Sequence, residues 1–421
     1  MRELLRDPDT RRLLGAQWAA QIADGLVQAA FANLLILEPD GAPMRILAVS
    51  ALTLLPYSVI APFMGVFVDR WQRRRILVLT NAVRAVLLLG IAAVVRVTEA
   101  EVVLYSALLL ILGIGRLFLT TKGAVLPVVL HERALIRGNA LSGGGGMIAA
   151  LIGGVAGVGA VAISTTAAAL VLGTVFYAAA AYIATRISDP LAHGLQRDEA
   201  LGAAAARVLA ELKDGAVQIW RRPGARIPLA GVFVVRTAAM IAAISAILII
   251  KREFPAAGDD VGRLSASALA LGSAGIGAFL GAVFAPRLSD RFPGARLMLL
   301  GFAVSGAGIV LLGGIVAMPA VLGLTFIGGL GGFLAKVAVD ALLQEQLPDE
   351  YRGRGFAVYD ILFNAATVAA ALAVVGAENT SFRLFLVGTG VVTLVLAALI
   401  GHSMRSAGLL AEGGEPAAGG E

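Results

Sequence analysis

Apolar stretches of about 20 residues, the length of a helix that crosses a ~30 Å hydrocarbon core, recur along the whole chain. Because lipid offers no hydrogen-bond partners to an open backbone, such repeated stretches predict membrane-spanning helices. A transmembrane β-barrel would instead show alternating segments of ~10 residues. The mean hydropathy of +0.87 and the charged fraction of 15% agree with this interpretation. We therefore expect an all-α polytopic membrane protein.

Charge clusters, prolines and turn residues divide the chain into twelve predicted spans. The first six cover 13–37, 46–68, 76–96, 102–122, 139–163 and 166–187, and the second six cover 226–250, 264–286, 297–317, 319–341, 355–376 and 382–403. The predicted domains are an N-terminal six-helix half (1–187), a cytoplasmic linker (188–225), a C-terminal six-helix half (226–404) and a cytoplasmic tail (405–421).

The basic residues predict the orientation in the membrane. Most of the 34 Lys and Arg lie in the termini and in the loops on the same side of the spans, which predicts that both termini are cytoplasmic. The net charge of +6 follows from this placement and does not indicate binding to nucleic acid. The polar segment 1–12 has no apolar core, so we expect no cleaved signal peptide. The excess of Arg over Lys, with abundant Ala and Gly, is typical of GC-rich bacterial genes and predicts a bacterial cytoplasmic membrane.

An amphipathic helix is predicted within the linker. Leu201, Val208, Leu212 and Ile219 fall on one helical face, with charged residues elsewhere. This pattern favours a helix that lies on the inner leaflet, although an ordinary soluble linker helix would also fit.

Two segments of the chain form an internal repeat. The segment "GVFVDRWQRRRI" begins at Gly65, and a similar segment, "SDRFPGARLML", begins at Ser289; each follows a predicted span. Leu126-Pro127 and Leu347-Pro348 are separated by the same offset as the two Asp-Arg pairs. The agreement predicts two homologous six-helix halves, an organisation typical of transporters that bind substrate where the repeats meet.

The first of these segments resembles the loop signature between the second and third helices of the major facilitator superfamily. The matching residues are Gly65, Asp69, Arg70, Arg73 and Arg74, and a degenerate copy follows at Asp290 and Arg291. The resemblance implies the major facilitator fold, with twelve helices in two pseudo-symmetric halves, and a gating role for both loops. The segments "LPVVLHERALIRGNALS" and "LQEQLPDEYRGRGFAVYDILFN" resemble the macrolide- and siderophore-efflux branch, which implies export.

The chain departs from the family pattern in three places. Gln72 stands where the family usually has Gly, and the predicted fifth span lacks the Gly-Pro pair of drug–proton antiporters. The arginine of the family's fourth helix usually precedes a Gly by four residues, and Arg116 does not. Transport by alternating access is therefore the firmer expectation, and proton antiport follows from it as the coupling hypothesis.

Asp24 lies near the middle of the first predicted span, where a charge costs at least ~2.5–3.5 kcal/mol. With Gln17, Gln21 and Gln28 it forms a polar stripe on one helical face, which predicts contact with protein or a water-filled cavity. Asp24 is the predicted proton-coupling residue. The alternative is a permanent ion pair with an arginine, for which Arg236 at similar depth is the expected partner.

By resemblance, the first, fourth, seventh and tenth spans line a central cavity. They carry Asp24, Arg116, Arg236, and Lys336 with Asp340, of which the last two are spaced to pair on one helix face. The excess of cations favours an amphipathic or anionic substrate. In the eleventh span, Asp360 and Asn364 share a polar stripe, and Asp360 is a candidate partner of Arg70, Arg73 or Arg84, with interfacial snorkelling as the alternative.

Several activities are disfavoured by what the sequence lacks. It contains no cysteine and no phosphate-binding G-x-x-x-x-G-K-[ST] motif, and its three histidines fall at loops or span ends. We expect no enzyme activity, no cofactor and no metal. The predicted function is export of an amphipathic small molecule in exchange for protons by a monomer in contact with membrane lipids. The alternatives are a flippase for a lysolipid or a lipid-linked anion, and a non-transporting membrane sensor.

Overall fold

Long α-helices make up the regular structure of this protein. The computed structural model describes residues 6–32, 63–64, 71–94, 101–129, 135–188, 201–254, 260–289, 291–377 and 379–410. Within these ranges the helices are α1 (Pro8–Phe31), α2 (Arg73–Val94), α3 (Glu101–Val129), α4 (Leu135–Ile163), α5 (Thr166–Thr185), α6 (Leu201–Arg221), α7 (Pro223–Glu253), α8 (Asp260–Ser289), α9 (Gly294–Gly313), α10 (Met318–Gln346), α11 (Asp349–Gly376) and α12 (Phe382–Ser406).

The helices follow the predicted spans closely. The predicted second span, 46–68, lies outside the described residues except for Phe63 and Met64. Among the described helices, ten are long and apolar enough to cross a membrane. The first helix, α1, is not among them, because its glutamines and Asp24 lower its hydropathy. Its start is fixed locally by Pro8 at the first helical position and by Asp7, whose Oδ2 accepts a hydrogen bond from Thr10 N at 2.6 Å.

The described residues up to Ala206 form one compact unit, called here the N-terminal unit. In it α1 packs against α4 and α5, and α2 packs against α5 and α3. Glycine allows α1 and α4 to touch: a Cβ on Gly25 would overlap the carbonyl oxygen of Ala150, and one on Gly153 would overlap that of Ile22.

The described residues from Arg207 onward form a second compact unit, the C-terminal unit. Helix α10 packs against α7, α8 and α9, and α7 also packs against α11 and α12. Again glycine brings two backbones together, because a Cβ on Gly277 of α8 would overlap the carbonyl oxygen of Phe326. Phe302, Val339 and Leu343 are fully buried in the core of this unit.

The linker helix α6 forms as predicted, and part of its apolar face packs on protein. Val208 and Ile219 are only 8% and 4% exposed, and Ile219 belongs to the core cluster of the C-terminal unit. Asp214 accepts a hydrogen bond from Arg354 of α11 at 2.7 Å. Gly215 meets the backbone of the same residue so closely that a Cβ would lie 2.9 Å from its carbonyl oxygen. Leu209 and Trp220 of the same helix are 58% and 73% exposed, and contact of this helix with the inner leaflet stays a prediction.

Candidate functional site

A charged network occupies the interior of the N-terminal unit. Arg84 of α2 donates from Nη1 to Asp24 Oδ1 of α1 at 2.9 Å, and the hydroxyl of Tyr177 of α5 donates to the same oxygen at 2.6 Å. The guanidinium also donates from Nη2 to Asn81 Oδ1 and from Nε to the carbonyl of Thr80. Three helices therefore meet at one carboxylate.

Small residues and aromatic rings hold the guanidinium in place. A Cβ at Gly115 would lie only 3.0 Å from Arg84 Nη1, and a Cβ at Gly173 would lie 2.8 Å from Leu88 Cδ2, so both glycines make room where α2 meets its neighbours. The guanidinium carbon lies 4.3 Å from the ring centre of Tyr177 and 5.5 Å from that of Phe118. Such stacking stabilises a cation that is removed from water.

The two ends of this ion pair differ in their access to solvent. The side chain of Arg84 is 0% exposed, whereas that of Asp24 is 28% exposed. Both hydrogen bonds to the carboxylate end on Oδ1, and Oδ2 accepts none from the described residues. Because one member of a buried pair left alone costs ~3–5 kcal/mol, the carboxylate of Asp24 offsets the free energy of burying the Arg84 guanidinium.

This pairing corrects one prediction about partners, because Arg236 was the expected arginine for a permanent pair with Asp24. Asp360 was a candidate partner of Arg70, Arg73 or Arg84; of these, Arg84 pairs with Asp24, and Arg70 lies outside the described residues. In the structure, Arg84 and Asp24 bind each other within one unit. The arginine side chain is long enough to extend from α2 across the ring of Tyr177 to Asp24 on α1. Residue spacing along a single helix does not show such a contact between helices.

Two glutamines of the α1 stripe, Gln17 and Gln21, belong to a second polar cluster. Gln17 donates from Nε2 to Gln21 Oε1 at 2.8 Å and to the carbonyl of Ser142 at 2.9 Å. The hydroxyl of Ser142 donates back to Gln17 Oε1 at 2.7 Å, and Lys122 donates to that hydroxyl at 2.8 Å. Gln28 is exposed and lies outside this cluster.

The predicted cavity cations of the C-terminal unit lie close together. Lys336 donates to Asp340 Oδ2 at 2.6 Å, as their spacing predicts. The Lys336 ammonium lies 5.9 Å from the ring centre of Phe363, and the guanidinium carbon of Arg236 lies 4.5 Å from the same ring. Arg236, Lys336 and Phe363 line a cavity of about 220 Å³. Arg116, the remaining predicted cavity cation, is partly buried on α3 in the other unit.

Only part of the predicted gating loops falls within the described residues. Gly65, Asp69, Arg70 and Asp290 lie outside them, and Arg291 is exposed. Arg73 donates to the carbonyl of Ala124 at 3.2 Å, and Arg74 donates to the carbonyl of Thr185 at 2.6 Å. Both arginines therefore satisfy carbonyls near the ends of neighbouring helices, where a cation is favoured.

The polar stripe of α11 is held locally. Asn364 donates from Nδ2 to the backbone carbonyl of Asp360 at 2.7 Å. Asp360 is partly buried. The preceding residue, Tyr359, has a buried hydroxyl that lies near Asp340 but forms no hydrogen bond with it.

Sequence reasoning missed several residues that the structure brings into these clusters. Tyr177 and Ser142 have no charged residue near them in their predicted spans, and Phe363 is one aromatic among many. Asn81 lies three residues before Arg84, but nothing else in the sequence marks it. The available signal was weak: a tyrosine inside a span needs a partner for its hydroxyl, but that partner is set by tertiary packing.

Solved structures of membrane transporters share this fold. The structure resembles the nucleoside transporter NupG at a TM-score of 0.70 and 10% identity, covering 94% of this chain and 99% of that one. A POT family transporter matches at a TM-score of 0.71 and 12% identity over 94% of this chain and 96% of that one. The E. coli fucose:proton symporter matches at a TM-score of 0.58 and 13% identity, over 93% of this chain and 98% of that one.

The sequence gives the family. Two mycobacterial proteins described as uncharacterized MFS-type transporters, from Mycobacterium bovis and Mycobacterium tuberculosis, are each 30% identical over 382 residues, covering 87% of this chain and 85% of theirs. The Major Facilitator Superfamily model matches residues 229–407. The chain belongs to the major facilitator superfamily: it is a multi-pass membrane transporter and not an enzyme. The predicted fold class is confirmed.

Proposed function

We propose that this transporter exports an amphipathic small molecule across a bacterial cytoplasmic membrane by alternating access, as a monomer with both termini inside, and that it takes up protons in exchange. Export is supported by the resemblance of its loop segments to the efflux branch. An amphipathic substrate fits a cavity with apolar walls, two phenylalanines and two cations.

The observation that carries proton exchange is the asymmetric ion pair of the N-terminal unit. Asp24 has an open Oδ2 and a partly exposed side chain, while Arg84 is enclosed and has no second carboxylate among the described residues. Protonation of Asp24 leaves a buried cation without its counter-charge, which disfavours the arrangement seen here. A change of conformation that gives Arg84 another environment would relieve this cost. The pair thus couples proton uptake to a change of state.

Two measurements test the proposal. A deletion strain and an overexpressing strain are first screened for altered susceptibility to a panel of amphipathic compounds. A compound that responds is then followed in proteoliposomes under an imposed pH gradient. Asp24→Asn should abolish gradient-driven accumulation and retain exchange of labelled for unlabelled compound, because the exchange needs no net proton movement.

Asp9→Asn is the matched control, since Asp9 also pairs with an arginine, but with Arg12, whose side chain is 37% exposed, whereas that of Arg84 is 0% exposed. Gradient-driven transport by Asp24→Asn at the rate of the parent, at equal expression, would remove Asp24 as the coupling residue. Absence of any flux with any compound would favour the sensor alternative.

A further inference from the structure

The cavity of the C-terminal unit is bounded by parts of α7, α8, α10 and α11 and has a volume of about 220 Å³. Much of its wall is small or apolar, because Gly328 and Gly332 present no side chain and Met240 and Phe333 supply apolar surface. Its volume lies below the ~300–1,000 Å³ of sites that enclose a whole drug-sized ligand. It therefore has room for one end of an amphipathic molecule.

The two cations that line this cavity differ in how they are neutralised. The ammonium of Lys336 is bonded to Asp340 at 2.6 Å. Arg236 has no such partner: within the part of the chain that the structure describes, no carboxylate pairs with it. Its Nε is fully enclosed and donates no hydrogen bond. The cavity thus carries one positive charge more than its own residues balance.

The surroundings of Arg236 stabilise its charge without satisfying its donors. The guanidinium lies 4.5 Å above the ring of Phe363, which attracts a cation but accepts no conventional N–H hydrogen bond. An arginine in a protein does not lose its proton, so the charge cannot be removed by deprotonation. Arg236 is partly buried, and a charge partly removed from water without a pair or a hydrogen bond is costly. An anion that enters the cavity would reduce that cost.

We propose that Arg236 binds the anionic group of the transported molecule, with the apolar body of that molecule against Phe363, Phe333 and Met240. The planar fork of the guanidinium suits a carboxylate, sulfonate or phosphate, and its stacking on Phe363 fixes the plane in which the anion is held. The substrate class is therefore an organic anion with an apolar body, either a soluble acid or an anionic lysolipid. The inference rests on the proposed transport function for its physiological meaning, but binding itself is measurable without transport.

The test compares two probes of equal shape on the purified protein in an uncharged detergent. Binding of 2-naphthoate and of 2-naphthamide is measured by calorimetry on the parent and on Arg236→Gln, Arg236→Lys and Arg252→Gln. Arg252 is the matched control, because its guanidinium also lies over a phenylalanine ring, that of Phe382 at 5.0 Å, but outside this cavity. The parent should prefer the acid by about tenfold or more, Arg236→Gln should lose that preference, and Arg236→Lys should keep part of it.

Equal binding of the two probes by the parent would overturn the proposal, and so would a full preference for the acid in Arg236→Gln. The parent comparison needs no variant and therefore stands even if Arg236→Gln fails to fold. Lysophosphatidylglycerol against monoacylglycerol gives the lipid arm, and Arg236-dependent preference for either anion supports the site. If the parent shows no preference for the anion but exports under a pH gradient, this inference alone is refuted. If the parent prefers the anion but shows no gradient-driven export, proton coupling alone is refuted.

Discussion

The ion pair between Asp24 and Arg84 predicts a measurable coupling of free energies. Removing the carboxylate by Asp24→Asn leaves a guanidinium that is 0% exposed without its counter-charge. Loss of one partner from a buried pair costs ~3–5 kcal/mol, and because the Asp24 side chain is 28% exposed we expect the lower end, about 3 kcal/mol of unfolding free energy. Arg84→Met alone leaves the carboxylate unpaired and also loses the hydrogen bonds to Asn81 and Thr80.

The double variant Asp24→Asn/Arg84→Met removes both charges and should lose less than the two single variants together. The expected coupling energy is about 2 kcal/mol, within the range seen for residues in one network. Unfolding is followed by circular dichroism as sodium dodecyl sulfate is titrated into dodecyl maltoside micelles. The control cycle uses Asp9 and Arg12, a surface pair with side chains 23% and 37% exposed, whose coupling should stay within ~0–1 kcal/mol. Additivity within ~0.5 kcal/mol for Asp24 and Arg84 would refute the energetic role assigned to the pair.

Three further outcomes follow from the same structure. Gly329→Ala should destabilise the protein by ~1–3 kcal/mol, because its Cβ would overlap a backbone carbonyl of α8. Gly328→Ala should be tolerated, because the nearest atom to its Cβ would lie 3.9 Å away. Equal thermal unfolding midpoints for the two variants would contradict this packing argument. Tyr177→Phe should lower stability by ~1.5–3 kcal/mol through loss of a hydrogen bond to a charged acceptor, and an unchanged unfolding curve would show that this bond contributes nothing. Asp214→Asn should cost less than ~1 kcal/mol in the same assay, because Asp214 and Arg354 are 43% and 35% exposed, and a larger loss would mean that the linker helix is held mainly by this pair.

The fold follows from the sequence to an unusual degree because a bilayer leaves a chain few choices. Apolar length alone placed α9 and α12 within a few residues of their observed bounds. The linker helix was also predicted, and amphipathic periodicity shows that Val208 and Ile219 share a face. Periodicity does not decide whether such a face covers lipid or protein, and only the structure shows that these two residues are buried in protein.

The individual charged residues of the candidate sites were predictable from sequence, but most of their partners were not. A charged residue inside a span is costly, so Asp24, Arg84 and Arg236 could be singled out from sequence alone. The pair Lys336 and Asp340 was predictable as well, since residues four apart on a helix face each other. Partners on other helices were not: Arg84, and not the expected Arg236, pairs with Asp24.

The sequence by itself therefore determined the class of protein, its helices and which buried charges need an explanation, because those follow from hydropathy, length and periodicity along the chain. Only the tertiary structure decided that Arg84 neutralises Asp24, with Tyr177 bonded to the same oxygen, while Arg236 faces a cavity with no carboxylate partner among the described residues. The physical reason is that neutralisation depends on distances of about 3 Å between atoms. Such distances are set by how glycine-lined helix surfaces pack, which residue spacing along the chain does not encode.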